Sequence, residues 1–431
     1  MEVGFPGPKN ETASKALYFS SRLGVHGRSE DFGSAQPTIP AQIPSRRLNS
    51  AAEHNLFQYF DHVVVQALAT IPRTSVTLRA VIARLALSSN AQSSQAVMQS
   101  IFALSSLHRH GIQLQTIKFK TSALGALRSS SGSGIGRHEV ARHIAALMLL
   151  CAYEIEQAWN SSCQWLFYIN GVKNVIKASS PSIEQDTDHE YLALLDWVHY
   201  QDTMAHFSLH HWRLRKRPGK DPGFDQLVSL LPKPGVKISL KFEQPPISHF
   251  IFLRLLSEVF STVQDKSYPT FCGEDYKNRL KLLELNISRV KNDDVSICFY
   301  EQDTARCFEV FQLAALIYIT RMLGDSGDDD LEETTNSRIS AGFAILAKMG
   351  TCTRQFPLLV LGCEARSDFD RITILDLIDR TRVKFPSACL VGLRNLIQTL
   401  WAQDDLAEEA LEYEKKLTAV ISSSETLPAL F

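Results

Sequence analysis

From Leu56 onward, Phe57, Phe60, Val63, Val64, Ala67, Leu68 and Ile71 keep a three-to-four spacing, one face of a helix that Pro72 ends. That period constrains the fold more than any other feature of the chain. A stripe repeating every 3.6 residues is buried only when a helix lies against another element. The stripe returns at Val97, Ile101, Leu104 and Leu107, closed by Gly111, and at Val140, Ile144, Leu147, Met148 and Cys151. It recurs through Trp165, Ile169, Val172, Val175 and Ile176, and from Tyr191 through Leu195, Trp197 and Met204 to Leu209. After a break it resumes over 250–263, 276–290, 305–323, 339–349, 372–384, 389–401 and 406–420. Few runs alternate as a half-buried strand would, so the expected fold is all-α. Leu56, Phe60, Val64, Ile101, Leu104, Leu147, Trp165, Ile169, Trp197, Leu359 and Trp401 are expected in its core.

Two segments lack the period. Residues 1–50 are rich in Ser, Gly and Pro with sparse apolar residues, and read as a disordered N-terminal arm. Between Arg217 and Pro246 six prolines and several glycines interrupt any helix, which marks a long connection or lobe boundary at about 214–246. The helical domain is expected over 51–425. At 431 residues the chain exceeds what one compact core usually supports, so two helical lobes and one elongated array both fit. No fixed-period self-similarity supports a solenoid repeat.

Composition narrows the function. Hydrophobic residues at 45% and charged residues at 21% are ordinary for a globular protein. A formal charge of −1 supplies no global field toward nucleic acid or an anionic membrane, so such binding needs a local patch. The first residues form no secretory leader, and no apolar run reaches the length of a membrane span; the chain is expected to stay inside the cell. The eight cysteines, at 151, 163, 272, 298, 307, 352, 363 and 389, are isolated from one another. That spacing excludes paired-thiolate zinc and redox motifs and leaves buried free thiols.

The local motifs point away from chemistry. Gly132, Gly134 and Gly136 resemble a phosphate loop, but no strand precedes them and no Lys-Ser/Thr follows, so they read as a helix connector. His138 and His143 lie five apart, about 140° around a helix, and cannot share a metal. His206 and His210, with His211 adjoining, have a workable spacing, yet no carboxylate or thiol is placed as a further ligand; polar residues at a helix end are favoured. Asp325, Asp328, Asp329, Asp330, Glu332 and Glu333 lack the register of a calcium loop and read as a solvated loop between helices. No nucleophile, base and orienting acid can be assigned, so an enzyme is not expected, and no catalytic, cofactor or metal residue is named.

Three stretches, in order along roughly residues 54–420, carry a resemblance. The most specific is Pro357-Leu-Leu-Val-Leu-Gly362-Cys363-Glu364-Ala365, followed by Asp370-Arg371 and later by Trp401. The others are 96–107 with the helix at 143–154, and Trp165 to Val172 with the segments at 195–197 and 202–207. Together they resemble the fungal-specific transcription factor domain, the large helical regulatory region of fungal zinc-cluster transcription factors. Residues 357–363 are too short for an independent helix and are expected to be buried. Glu364 and Arg371 are available for a buried or capping ion pair.

The resemblance implies a nuclear transcriptional regulator that works through other transcription factors or co-regulators. Regulators of this type often sit beside secondary-metabolite genes, and a small-molecule ligand between the helices is compatible with it. The first cysteine is Cys151, so the chain is identified as a member lacking the zinc binuclear cluster, with DNA contacted at most weakly or indirectly. A metabolite-binding protein or enzyme on the same scaffold is the alternative.

Arg213, Arg215, Lys216, Arg217 and Lys220 form the one dense basic cluster, readable as a nuclear localisation signal or as a solvated charged turn. On the first reading, replacing Arg215, Lys216 and Arg217 with alanine in a fluorescent fusion abolishes nuclear enrichment. Stability then changes by no more than about 0.5 kcal/mol. A folded triple mutant that still concentrates in nuclei selects the second.

Overall fold

The structure, a computed structural model, describes residues 50–68, 74–131, 136–157, 163–179, 189–212, 248–263, 273–291, 302–324, 329–407, 412–424 and 427–430. The order is α1 (Ala51–Tyr59), a π-helical turn (Phe60–Val64), α2 (Val65–Leu68), α3 (Thr74–Leu87), α4 (Gln92–His110), α5 (Leu114–Ser130), α6 (Arg137–Gln157), α7 (Gln164–Ser179) and α8 (His189–Trp212). There follow α9 (Ser248–Thr262), α10 (Gly273–Ser288), α11 (Gln302–Leu323), α12 (Asp329–Leu346), α13 (Gln355–Glu364), α14 (Asp368–Lys384), α15 (Ala388–Leu406) and α16 (Tyr413–Ser423). The fold is all-α, and among the described residues there is no strand. No described helix is long and apolar enough to cross a membrane.

Local chemistry sets the ends. The Ser50 side chain accepts a hydrogen bond from the Glu53 amide, supplying a partner to one of the open donors of the first turn. Gly111 stops α4 at φ 72°, a backbone angle that side chains disfavour. Ser367 caps α14, accepting from the Asp370 amide and donating to the Asp370 carboxylate.

Every expected core residue except Leu147 is buried. Leu147 is half-buried because it faces Gly171 of α7, which has no side chain to cover it. The helices divide their packing in a simple way. α4 lies against α5 and α6, and α6 against α7. α8 buries Tyr200, Met204 and Phe207 in the cluster that also takes Phe252, Leu256 and Phe260 of α9, so the helices either side of the 214–246 connection share one core. The connection itself lies outside the described residues.

Three expectations need correction. Asp329, Asp330, Glu332 and Glu333 are not loop but the start of α12, where carboxylates meet the positive end of the helix dipole. Residues 357–363 belong to a ten-residue helix, α13, in which every residue is buried. Its helical form comes from the partners that enclose it, since isolated segments of this length are marginal in water. The last helix begins at Tyr413, because Leu406 closes α15 and Ala407 is extended.

α13 is held by close approach on two sides. A methyl added at Gly342 of α12 would lie 2.9 Å from Leu361 Cδ2, and one added at Gly362 would lie 3.1–3.3 Å from three atoms of Ile397 in α15. Ile397 is fully buried and β-branched, with little rotamer freedom to retreat. Gly362→Val is therefore expected to lower stability by about 1–3 kcal/mol in urea unfolding. Gly125→Ala, on an exposed helical site with nothing within 4 Å, should instead raise it by about 0.4–1 kcal/mol.

Candidate functional site

Most of the family-motif residues singled out in the sequence gather around the C-terminal end of α13. A helix end leaves carbonyls without intrahelical partners, and inside a protein each must be satisfied. The Trp401 indole Nε1 of α15 donates to the Gly362 carbonyl at 2.8 Å, and Lys416 Nζ of α16 donates to the Cys363 carbonyl at 2.9 Å. Lys416 is paired in turn with Asp404. The Cys363 thiol is buried and pushed up to about 12 by its desolvation, which leaves it inert as a nucleophile. Pro357 and Ala365 are packed away from solvent at either end.

Glu364 and Arg371 do make ion pairs, but not with each other. Glu364 takes a two-pronged contact from Arg321 of α11, at 2.8 and 3.0 Å, and Arg321 also holds Glu332 at 2.8 Å. Breaking a pair this buried by removing one partner typically costs about 3–5 kcal/mol. Arg371 reaches the exposed Asp405 with two bonds of 2.8 Å, and its guanidinium sits 5.3 Å from the Trp401 ring centroid. Asp370 is the partner of the Ser367 cap. All eight motif residues thus hold α13 and its neighbours in register.

Just before this helix the chain enters a cleft that no sequence pattern announced. It is framed by Val64 at the end of the π-helical turn, Leu104 of α4, Ile155 of α6, Gln201 of α8, Arg354, and Leu390 of α15, and offers about 50 Å³ of room. In its lining Glu156 accepts from Ser387 Oγ at 2.7 Å and from the Ala388 amide at 3.0 Å, tying α6 to the start of α15. Burial raises the Glu156 carboxyl above its usual range, against the pull of those two bonds.

Residues 55–420 match the fungal specific transcription factor domain. The chain belongs to this family. It is also similar to the transcription factor iacI of Pestalotiopsis fici, 34% identical over 386 residues, which cover 88% of this chain and 95% of that relative. No solved structure matches.

Within this fungal transcription factor domain the histidines singled out above divide between surface and core. His138 is exposed while His143 is buried and bonded to Ser130 Oγ at 3.0 Å, so α6 points them apart. Among the described residues no group of three His, Cys, Asp or Glu could hold a metal. Of the six described cysteines, five are buried and Cys307 is half-buried; Cys272 and Cys298 lie outside the described residues. The basic cluster Arg213, Arg215, Lys216, Arg217 and Lys220 lies outside them as well.

His211 is fully enclosed, its Nδ1 3.0 Å from Thr418 Oγ1 of α16 and its Nε2 3.0 Å from the Tyr318 hydroxyl of α11. Desolvation, helped by neighbouring His210, holds its pKa well below the usual histidine value of 6.5. The unfolded chain therefore takes up a proton that the fold refuses: stability is complete above 6.5 and lost as the pH falls below it. His199 and His108, also lowered by burial, act in the same sense, and the raised Glu156 acts in the opposite one. Urea midpoints measured from about pH 7 down to about pH 5 should decline less steeply in His211→Gln than in the parent.

Proposed function

We propose that this protein is a nuclear transcriptional regulator of a fungal secondary-metabolite gene cluster, acting through other transcription factors or co-regulators rather than through base recognition of its own. The observation that carries this reading is the family match over residues 55–420, which takes in nearly every described helix. The similarity to a transcription factor along almost the full length of that relative supports it. The motif residues add physical support, since each is engaged in packing, capping or ion pairing and none presents a reactive group to solvent-filled space. The proposed nuclear address is the basic cluster from Arg213 to Lys220.

The cleft beside Arg354 favours one addition, that the regulator responds to a small metabolite held between its helices. A protein that binds the same metabolite without touching transcription is the competing reading. Deleting the gene is expected to lower the transcripts of a contiguous set of biosynthetic genes under producing conditions. Unchanged transcripts alongside a changed metabolite level would favour the competitor.

A further inference from the structure

Among the described residues the buried cations come with counter-charges, with one exception. Lys173 bonds Asp202 at 2.7 Å, Arg321 bonds Glu364 at 2.8 Å, and Lys416 pairs with Asp404. Arg354, with 5% of its surface exposed, has no carboxylate partner among the described residues; its guanidinium lies 5.5 Å from the centroid of the Tyr200 ring. A buried charge without a counter-charge is costly, and a fold that retains one at the wall of a cleft is suited to a ligand that supplies the missing charge. Gln201 gives a second, independent sign. It is 5% exposed, lines the same cleft, and its Oε1 accepts no hydrogen bond from any described group. Val64, the last residue of the π-helical turn, also lines the cleft, and such turns are frequent at functional sites.

We infer that this cleft binds a short-chain hydroxycarboxylate, with the carboxylate on Arg354 and the hydroxyl donating to Gln201 Oε1. The charge balance selects a monoanion over a phosphate. One guanidinium faces the cleft, and Glu156, the acidic group on its lining, directs its two oxygens at Ser387 and Ala388 instead of at Arg354. The ligand is small. A dry cavity of about 150 Å³ holds benzene, and this cleft offers about 50 Å³, which suits a chain of a few heavy atoms. Val64, Leu104, Ile155 and Leu390 supply an apolar wall for the alkyl part. The inference rests on the small-metabolite addition above, while its test reads the cleft directly and is independent of any transcript.

Isothermal titration of the full-length protein with lactate, 2-hydroxybutyrate, propionate and lactamide separates the contributions. The two hydroxy acids are expected to bind, propionate more weakly for want of the hydroxyl, and uncharged lactamide at least about tenfold more weakly than lactate. Arg354→Gln should abolish acid binding, and Gln201→Leu should bring lactate down to the affinity of propionate, with melting curves confirming that each variant is folded. Should Arg354→Gln fail to fold, the four-ligand panel on the parent protein decides alone. No binding of either hydroxy acid at about 10 mM, or equal affinity for lactate and lactamide, overturns the inference. Undiminished binding in folded Arg354→Gln does the same.

Discussion

A helix enclosed on every side has no water to satisfy its end, and α13 meets that demand with side chains that arrive from elsewhere in the sequence. The carbonyls of Gly362 and Cys363 receive the indole of Trp401 and the ammonium of Lys416. Lys416 also places positive charge at the negative end of the helix dipole. Because those donors lie on α15 and α16, capping one short helix fixes the position of two others. Gly362 makes the arrangement possible, letting Ile397 come near enough for Trp401, one turn further along α15, to reach its acceptor.

The same helix organises the aromatic core. Phe356, in its first turn, meets Phe207 of α8 at 5.1 Å in an edge-on contact and Phe311 of α11 at 5.3 Å in a stacked one, and Phe260 of α9 closes the group at 5.1 Å from Phe207. Such geometries add to the apolar area the rings bury. The polar bridge from His211 to Tyr318 and Thr418 sits beside them and fixes the rotation of α8 against α11 and α16. Packing, capping and buried polar bonds thus agree on one placement of α13, the condition under which a sequence specifies a single structure.

How much of this could be read from the chain follows from what each part depends on. The stripes of α4, α6, α7, α8, α9 and α11 are local patterns, and the structure places helices there. α3, with Leu78, Val81, Ile82 and Leu85 buried, was equally legible and goes unmarked only because Thr74, Ser75 and Thr77 blur its start. α5 was not legible, since Leu114, Ile117 and Leu124 point outward and dilute its stripe. The motif around Gly362 was visible as a pattern, but its partners were not. Glu364 finds Arg321 from 43 residues away, and no local rule connects them. The cleft is more distant still from sequence reasoning, for Val64, Gln201 and Arg354 meet only after the π-helical turn, α8 and the entry to α13 have packed.

The long reach of these contacts bears on how the protein is made. The apolar run of α13 leaves the ribosome before the groups that cap it, Trp401 lying 39 residues beyond the carbonyl it binds and Lys416 lying 53 residues beyond its own. At synthesis rates of about 5–20 residues per second, several seconds pass in which the nascent chain displays Phe356, Leu358, Leu359, Val360 and Leu361 with no finished site to receive them. During that interval the segment is a natural substrate for chaperones and a risk for self-association. The helix that anchors the mature fold is thus a part of the newborn chain in need of protection.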